Sequence, residues 1–133
     1  MLKINPKDAV VHNNLADVLF SHGKLDEAVF HYNEALKIDP DYAGAHGGFG
    51  SLLIKQNKFK EAMFHLTEAI RMNPDYAEAY NNLGVVFSRL NKFKEASTFF
   101  AKAIQVKPDF TEARKNLEIV DNNLSLQENL DER

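Results

Sequence analysis

Apolar residues recur along the chain in paired stretches at helical spacing, each pair divided by a short polar break. Over residues 77–110 the first stretch offers Ala79, Leu83, Val86 and Phe87 to one face. The second offers Phe93, Ala96, Phe100, Ala103 and Ile104. Spacings of three and four predict two amphipathic helices. Asn91 lies between them and matches Gly23 and Asn57 in the preceding pairs. Glycine and asparagine best tolerate the left-handed backbone that ends a helix, so a tight turn is expected at each of the three.

The pattern has a fixed period. The four prolines, Pro6, Pro40, Pro74 and Pro108, stand 34 residues apart. Leu15, Phe49, Leu83 and Leu117 keep the same step, as do Ala28, Ala62 and Ala96 and the set Ala35, Ala69 and Ala103. The residue before a proline is pushed out of helical geometry, so each second helix is expected to stop there. Asp75 and Asp109, just past a proline, are expected to cap the next helix, with Glu78 and Glu112 completing a capping box. Small residues at Ala16, Gly50 and Gly84 sit where the two helices of a hairpin must approach closely. One hairpin cannot bury its apolar face alone, so neighbouring units must stack.

Spacing and residues together resemble the tetratricopeptide repeat family. Tyr80, Leu83, Gly84, Phe87, Ala96, Phe100, Ala103 and Pro108 stand at its signature places. The resemblance implies an all-α fold, a right-handed superhelical solenoid of antiparallel helix-turn-helix repeats. It divides the chain into a lead-in over 1–8, repeats at 9–42, 43–76 and 77–110, a capping helix at 111–126 and a polar tail at 127–133. "LKINP" at 2–6 matches "LKIDP" at 36–40, so the lead-in reads as the tail of a preceding second helix. His12 and His46 replace the family's usual large aromatic, and Asn57 and Asn91 its turn glycine.

Four glycines in "GAHGGFG", residues 44–50, suggest a phosphate-holding loop until the period is applied. The segment aligns with "VVHNNLA" and "EAYNNLG", both first-helix segments, and no strand precedes it. Gly50 is a packing residue. Gly44, Gly47 and Gly48 share another face, which in the family lines the concave groove. Each glycine inside a helix costs roughly 1 kcal/mol against alanine, so three need a reason. Either a stable array tolerates them, or their missing side chains let a ligand come close.

Asn14, Asn82 and Asn116 recur at the repeat period, with Gly48 on the missing rung and Asn13 and Asn81 beside the first two. This resembles the asparagine ladder in the superhelix of O-linked N-acetylglucosamine transferases. Side-chain amides both donate and accept, which suits an extended peptide backbone. The resemblance thus implies a peptide-binding concave face at Asn13, Asn14, Asp17, Gly44, Gly47, Gly48, Ser51, Asn81, Asn82, Val85, Arg89 and Asn116. Family members that grip a C-terminal carboxylate use lysines, asparagine and arginine on successive first helices. The matching places here hold Asn13, Asp17, Gly48, Glu78 and Asn82, which lack the cations. Lys55 and Arg89, one repeat apart, are either sites for an acidic side chain or solvated helix ends. Phe30 and Phe64 stand where the family has polar residues and form either a convex docking patch or half-covered packing.

Composition narrows the remaining choices. The chain has 133 residues, a net charge of -3 and no cysteine. Neither nucleic acid nor direct membrane contact is expected, and no apolar run nears the roughly 20 residues that span a bilayer. The absence of thiols fits a reducing compartment, with the cytoplasm as default. Of the five histidines, four lie one repeat apart, His12 with His46 and His31 with His65, as packing substitutes rather than metal ligands, and His22 stands outside these pairs. Ser21, Ser51, Ser88, Ser97 and Ser125 lack a base partner. No catalytic residue, metal or cofactor is expected. The reading is a protein-interaction module binding a partner's peptide segment. Its alternatives are a stacking scaffold that forms homo-oligomers through exposed repeat ends, and the substrate-selecting arm of a larger enzyme such as a glycosyltransferase.

Overall fold

The computed structural model describes residues 6–132, so the lead-in motif at 2–5 lies outside the described residues. Every regular element among them is an α-helix: α1 (Pro6–Ser21), α2 (Leu25–Ile38), α3 (Ala43–Lys55), α4 (Phe59–Met72), α5 (Ala77–Arg89), α6 (Phe93–Val106) and α7 (Thr111–Asp131). They form two compact units, Met1–Pro74 and Asp75–Arg133.

Unit 1 contains two antiparallel hairpins. Gly23 joins α1 to α2 at φ 77°, and Asn57 joins α3 to α4 at φ 60°. At each turn a backbone N–H closes back five residues, Lys24 to the Leu19 carbonyl and Lys58 to the Leu53 carbonyl, both at 2.9 Å. This is the hydrogen bonding that ends a helix on a left-handed residue. Hairpin packing relies on small residues. Ala16, Ala28, Ala35, Ala62 and Ala69 are fully buried, and Tyr32, Leu52 and Leu66 fill the spaces between them. A Cβ added at Gly50 would stand 2.7 Å from the Leu66 side chain.

Unit 2 repeats the design once and adds a third helix. Asn91, at φ 60°, joins α5 to α6, and Lys92 N–H reaches the Phe87 carbonyl at 2.8 Å. Phe100 lies so close to Gly84 that an added Cβ would meet its ring at 2.5 Å. Burying a phenylalanine contributes roughly 1.5–3 kcal/mol, which outweighs the roughly 1 kcal/mol cost of glycine in a helix. α7 covers this core with Val120, while Leu117 and Leu124 pack at its margin.

Two expectations need correction. The helices α3, α5 and α7 are not capped by aspartate: their N-cap residues are Tyr42, Tyr76 and Phe110, none with a side-chain cap bond. The helices begin one residue later than a capping box at Asp75 or Asp109 requires, which puts Glu78 and Glu112 one place too early. The capping helix expected over 111–126 continues through the polar tail as far as Asp131. No glycine or proline interrupts 111–131, and its residues are mostly good helix formers.

Candidate functional site

In unit 1 the first-helix face is built by α1 and α3. Asn14 and Asp17 are exposed, Gly44, Gly48 and Ser51 are half-buried, and Gly47 is buried. The glycines do not form an open floor. A Cβ at Gly48 would lie 2.7 to 2.9 Å from the Tyr32 phenol, and one at Gly44 would lie 2.7 Å from the Tyr42 ring. Tyr32 leans from α2 across Gly48, and its hydroxyl donates to the Asp17 carboxylate. The missing side chains therefore admit the protein's own tyrosines. The repeat period alone could not reveal this, because Tyr32 lies on the other helix of the hairpin.

Asn13 is only 6% exposed. Its Nδ2 donates to the Tyr42 hydroxyl at 3.5 Å, while its buried Oδ1 has no hydrogen-bond partner among the described residues. Unit 2 supplies the reason. There Asn116 Nδ2 donates to the Oδ1 of buried Asn81 at 3.1 Å. Counting back two periods, Asn81 corresponds to Asn13 and Asn116 to Gly48. Glycine at 48 removes the donor that this arrangement requires.

The first-helix face of unit 2 also carries half-buried Asn82 and Val85, with Arg89 exposed. α5 and α7 enclose an open pocket of about 380 Å³, to which Val85, Ser88, Arg89, Asn116 and Ile119 contribute. Val85 and Ile119 give it apolar walls, and Asn116 and Arg89 bring hydrogen-bond donors. Unit 2 thus brings Asn81, Val85, Arg89 and Asn116 together. In unit 1 Asp17 and Gly48 are tied to Tyr32, and Asn13 and Gly44 to Tyr42.

The histidines form contacts that the repeat spacing did not reveal. His12 Nδ1 lies 2.9 Å from His31 Nδ1, and His46 Nδ1 lies 3.0 Å from His65 Nδ1. The signal was present as two pairs with the same separation of 19 residues. His46 Nε2 also donates to the Pro40 carbonyl at 2.8 Å. Burial, reinforced by His46, lowers the pKa of His65 from 6.5 to about 4. Among the described residues no group of three or more histidines and carboxylates is arranged to hold a metal ion. None of their helices is long and apolar enough to cross a membrane.

Phe30 and Phe64 are 57% and 60% exposed. They line an open pocket of about 660 Å³ between α2 and α4 of unit 1.

Comparison with known proteins places the chain. The tetratricopeptide repeat pattern matches residues 9–42 and 77–110, half of the chain, and a related TPR repeat pattern matches 50–91. No curated protein matches the sequence significantly. Among solved structures, the first TPR of Spaghetti (RPAP3) bound to the HSP90 peptide SRMEEVD is 25% identical, with a TM-score of 0.86, covering 91% of this chain and 96% of that one. The first TPR domain of human RPAP3 is 26% identical, with a TM-score of 0.88 and coverage of 94% and 98%. YrrB, described as a TPR protein with an unusual peptide-binding site, is 27% identical, with a TM-score of 0.79 and coverage of 94% and 64%. The chain therefore belongs to the tetratricopeptide repeat family.

Proposed function

We propose that the chain is a protein-interaction module, not a catalyst, and that its first-helix faces bind a peptide segment of a partner in extended form. The observation that carries this reading is the α5–α7 pocket of about 380 Å³, which sets apolar Val85 and Ile119 beside the Asn116 amide, the Arg89 cation and the Glu112 carboxylate. Arg89 forms no ion pair within 4 Å among the described residues and remains available to a ligand carboxylate or carbonyl. Asn82 and Asn116 offer donors and acceptors to a peptide backbone, and Asn14 does the same on unit 1. The fold it shares with a domain solved around an HSP90 peptide supports the same kind of ligand.

The peptide class differs from the one that domain holds. SRMEEVD is acidic, whereas this chain presents Asp17 and Glu78 where clamp residues would stand, and Glu78 already lies 3.8 Å from Lys107. A segment recognised through its backbone and one aliphatic side chain suits the pocket better. The test is a peptide-display selection on the immobilised protein, followed by fluorescence-polarisation titration of the enriched peptides. Asn82→Ala is expected to weaken binding about three- to tenfold, the scale of one hydrogen bond, and Arg89→Glu at least as much. SRMEEVD is expected not to saturate. Affinity unchanged in both variants would remove the first-helix face as the site.

One observation favours a stacking role as a second reading. Ile119, Leu126 and Leu130 of α7 are each more than half exposed and share one side of the helix. Sedimentation velocity over a range of concentrations separates the two readings. Mass that rises with concentration supports stacking.

A further inference from the structure

The pocket between α2 and α4 has walls that repeat each other. On α2, Phe30 is followed by Glu34 and Lys37; on α4, Phe64 is followed by Glu68 and Arg71. Each triplet lies along one helix face, since its members are four and three residues apart. The matching places on α6 hold Thr98, Lys102 and Gln105, so the arrangement belongs to unit 1 alone.

We propose that this pocket is a second binding site, one that takes a basic side chain of a partner protein. The aliphatic stem lies between the rings of Phe30 and Phe64, and the cationic head turns towards Glu34, Glu68 and Asp41. Three features of the site favour a cation. Its carboxylates, Glu34, Asp41 and Glu68, outnumber Lys37 and Arg71 by one. The last turns of α2 and α4, where Lys37 and Arg71 lie, bring the partial negative charge of helix C-termini to the same end. The two exposed aromatic faces attract a cation through their quadrupoles. The protein already uses that contact elsewhere: Lys107 Nζ lies 5.1 Å from the Phe110 ring centre, and Lys102 Nζ 5.8 Å from that of Tyr80.

The resident cations leave room for a guest. Lys37 pairs with Glu34 at 3.0 Å and Arg71 with Glu68 at 2.7 Å, yet their side chains remain 74% and 56% exposed. Each glutamate has a second oxygen to offer, and among the described residues the Asp41 carboxylate is held only by Arg71, at 3.6 Å. His65 adds no opposing charge to the lining near neutral pH, because its pKa lies at about 4. The site involves none of the first-helix residues assigned to peptide binding above.

The experiment is an NMR titration of the 15N-labelled protein with acetyl-Leu-Arg-Leu-amide. The uncharged citrulline analogue of the same length serves as control. Amide shifts are expected around Phe30, Phe64, His65 and Arg71, with the citrulline peptide binding about tenfold more weakly. Phe30→Ser with Phe64→Ser, both at exposed positions, is expected to weaken the arginine peptide at least tenfold while the spectrum stays dispersed. Should that variant lose its fold, Glu34→Gln with Glu68→Gln is the second variant, expected to weaken binding at least threefold. The proposal is overturned if no shifts occur near Phe30 and Phe64, if citrulline binds as well as arginine, or if a folded variant binds as the parent does. Shifts confined to α1, α3, α5 and α7 would also overturn it, while leaving the first-helix reading in place.

Discussion

His46 and His65 meet head-on inside the α3–α4 hairpin, with Nδ1 3.0 Å from Nδ1 and ring centroids 5.2 Å apart. The Pro40 carbonyl can only accept, so His46 carries its hydrogen on Nε2 and, when neutral, offers a bare Nδ1. His65 then donates from its own Nδ1. A proton added to His46 Nδ1 sets two N–H groups against each other, and His65 is partly buried beside it.

This arrangement predicts an acid-sensitive fold. The pKa of His65 is about 4 when folded and 6.5 as its ordinary value, so the unfolded chain binds more protons between those limits. The contribution of His65 is complete above about pH 6.5 and is lost as pH falls towards 4. A drop in melting midpoint of roughly 5 °C between pH 7.5 and pH 5 is expected by circular dichroism. The variant His46→Tyr with His65→Phe copies Tyr80 and Phe99, which occupy the matching places of unit 2. It should melt with a flatter pH dependence; an equal slope in parent and variant would acquit the histidines.

The turns and the hairpin contacts predict graded outcomes for three glycine substitutions. Gly23 has φ 77° and open space around its Cα, and its counterparts Asn57 and Asn91 have φ 60°. Gly23→Asn is expected to stay within about 0.5 kcal/mol of the parent, and Gly23→Ala to cost about 1 kcal/mol. Gly84→Ala gains helix propensity but drives a methyl to 2.5 Å from Phe100, for a net loss of about 1–2 kcal/mol. Urea denaturation of the three variants ranks them directly.

The two buried asparagines respond differently when their surroundings are cut back. Asn116→Ala strips the donor from Asn81 Oδ1 in a residue only 2% exposed, at an expected cost of about 1–3 kcal/mol. Asn13→Ala removes an amide whose Oδ1 is already unpaired and whose Nδ2 contact is long, so it should cost less than Asn116→Ala. The reverse order in denaturation midpoints would mean that Asn13 Oδ1 has a partner in solution, such as an ordered water.

The repeat made much of the fold legible. A 34-residue period with small residues at Ala16, Gly50 and Gly84 dictates hairpins that close on those positions, and Leu66 and Phe100 occupy the space that the two glycines leave. Helix starts were less legible, because Asp75 and Asp109 carry a capping signal while the chain enters its helices through Tyr76 and Phe110. The candidate site was harder still. Aligning one repeat on the next compares equivalent places, but Tyr32 over Gly48 and His12 with His31 join places that are not equivalent. Such contacts become visible only when the two helices of a hairpin are laid side by side.

The pairing of each helix with its neighbours in sequence also has a consequence for how the chain folds. Within unit 1, α1 meets α2 and α3, and α3 meets α4; within unit 2, α5 meets α6, and α7 meets both. Ordering such contacts closes only short loops, so little entropy is lost before the first favourable burial begins. Refolding from urea should therefore fall in the fast range of helical proteins, about microseconds to milliseconds. The hairpins closed by Gly23, Asn57 and Asn91 are its natural starting points.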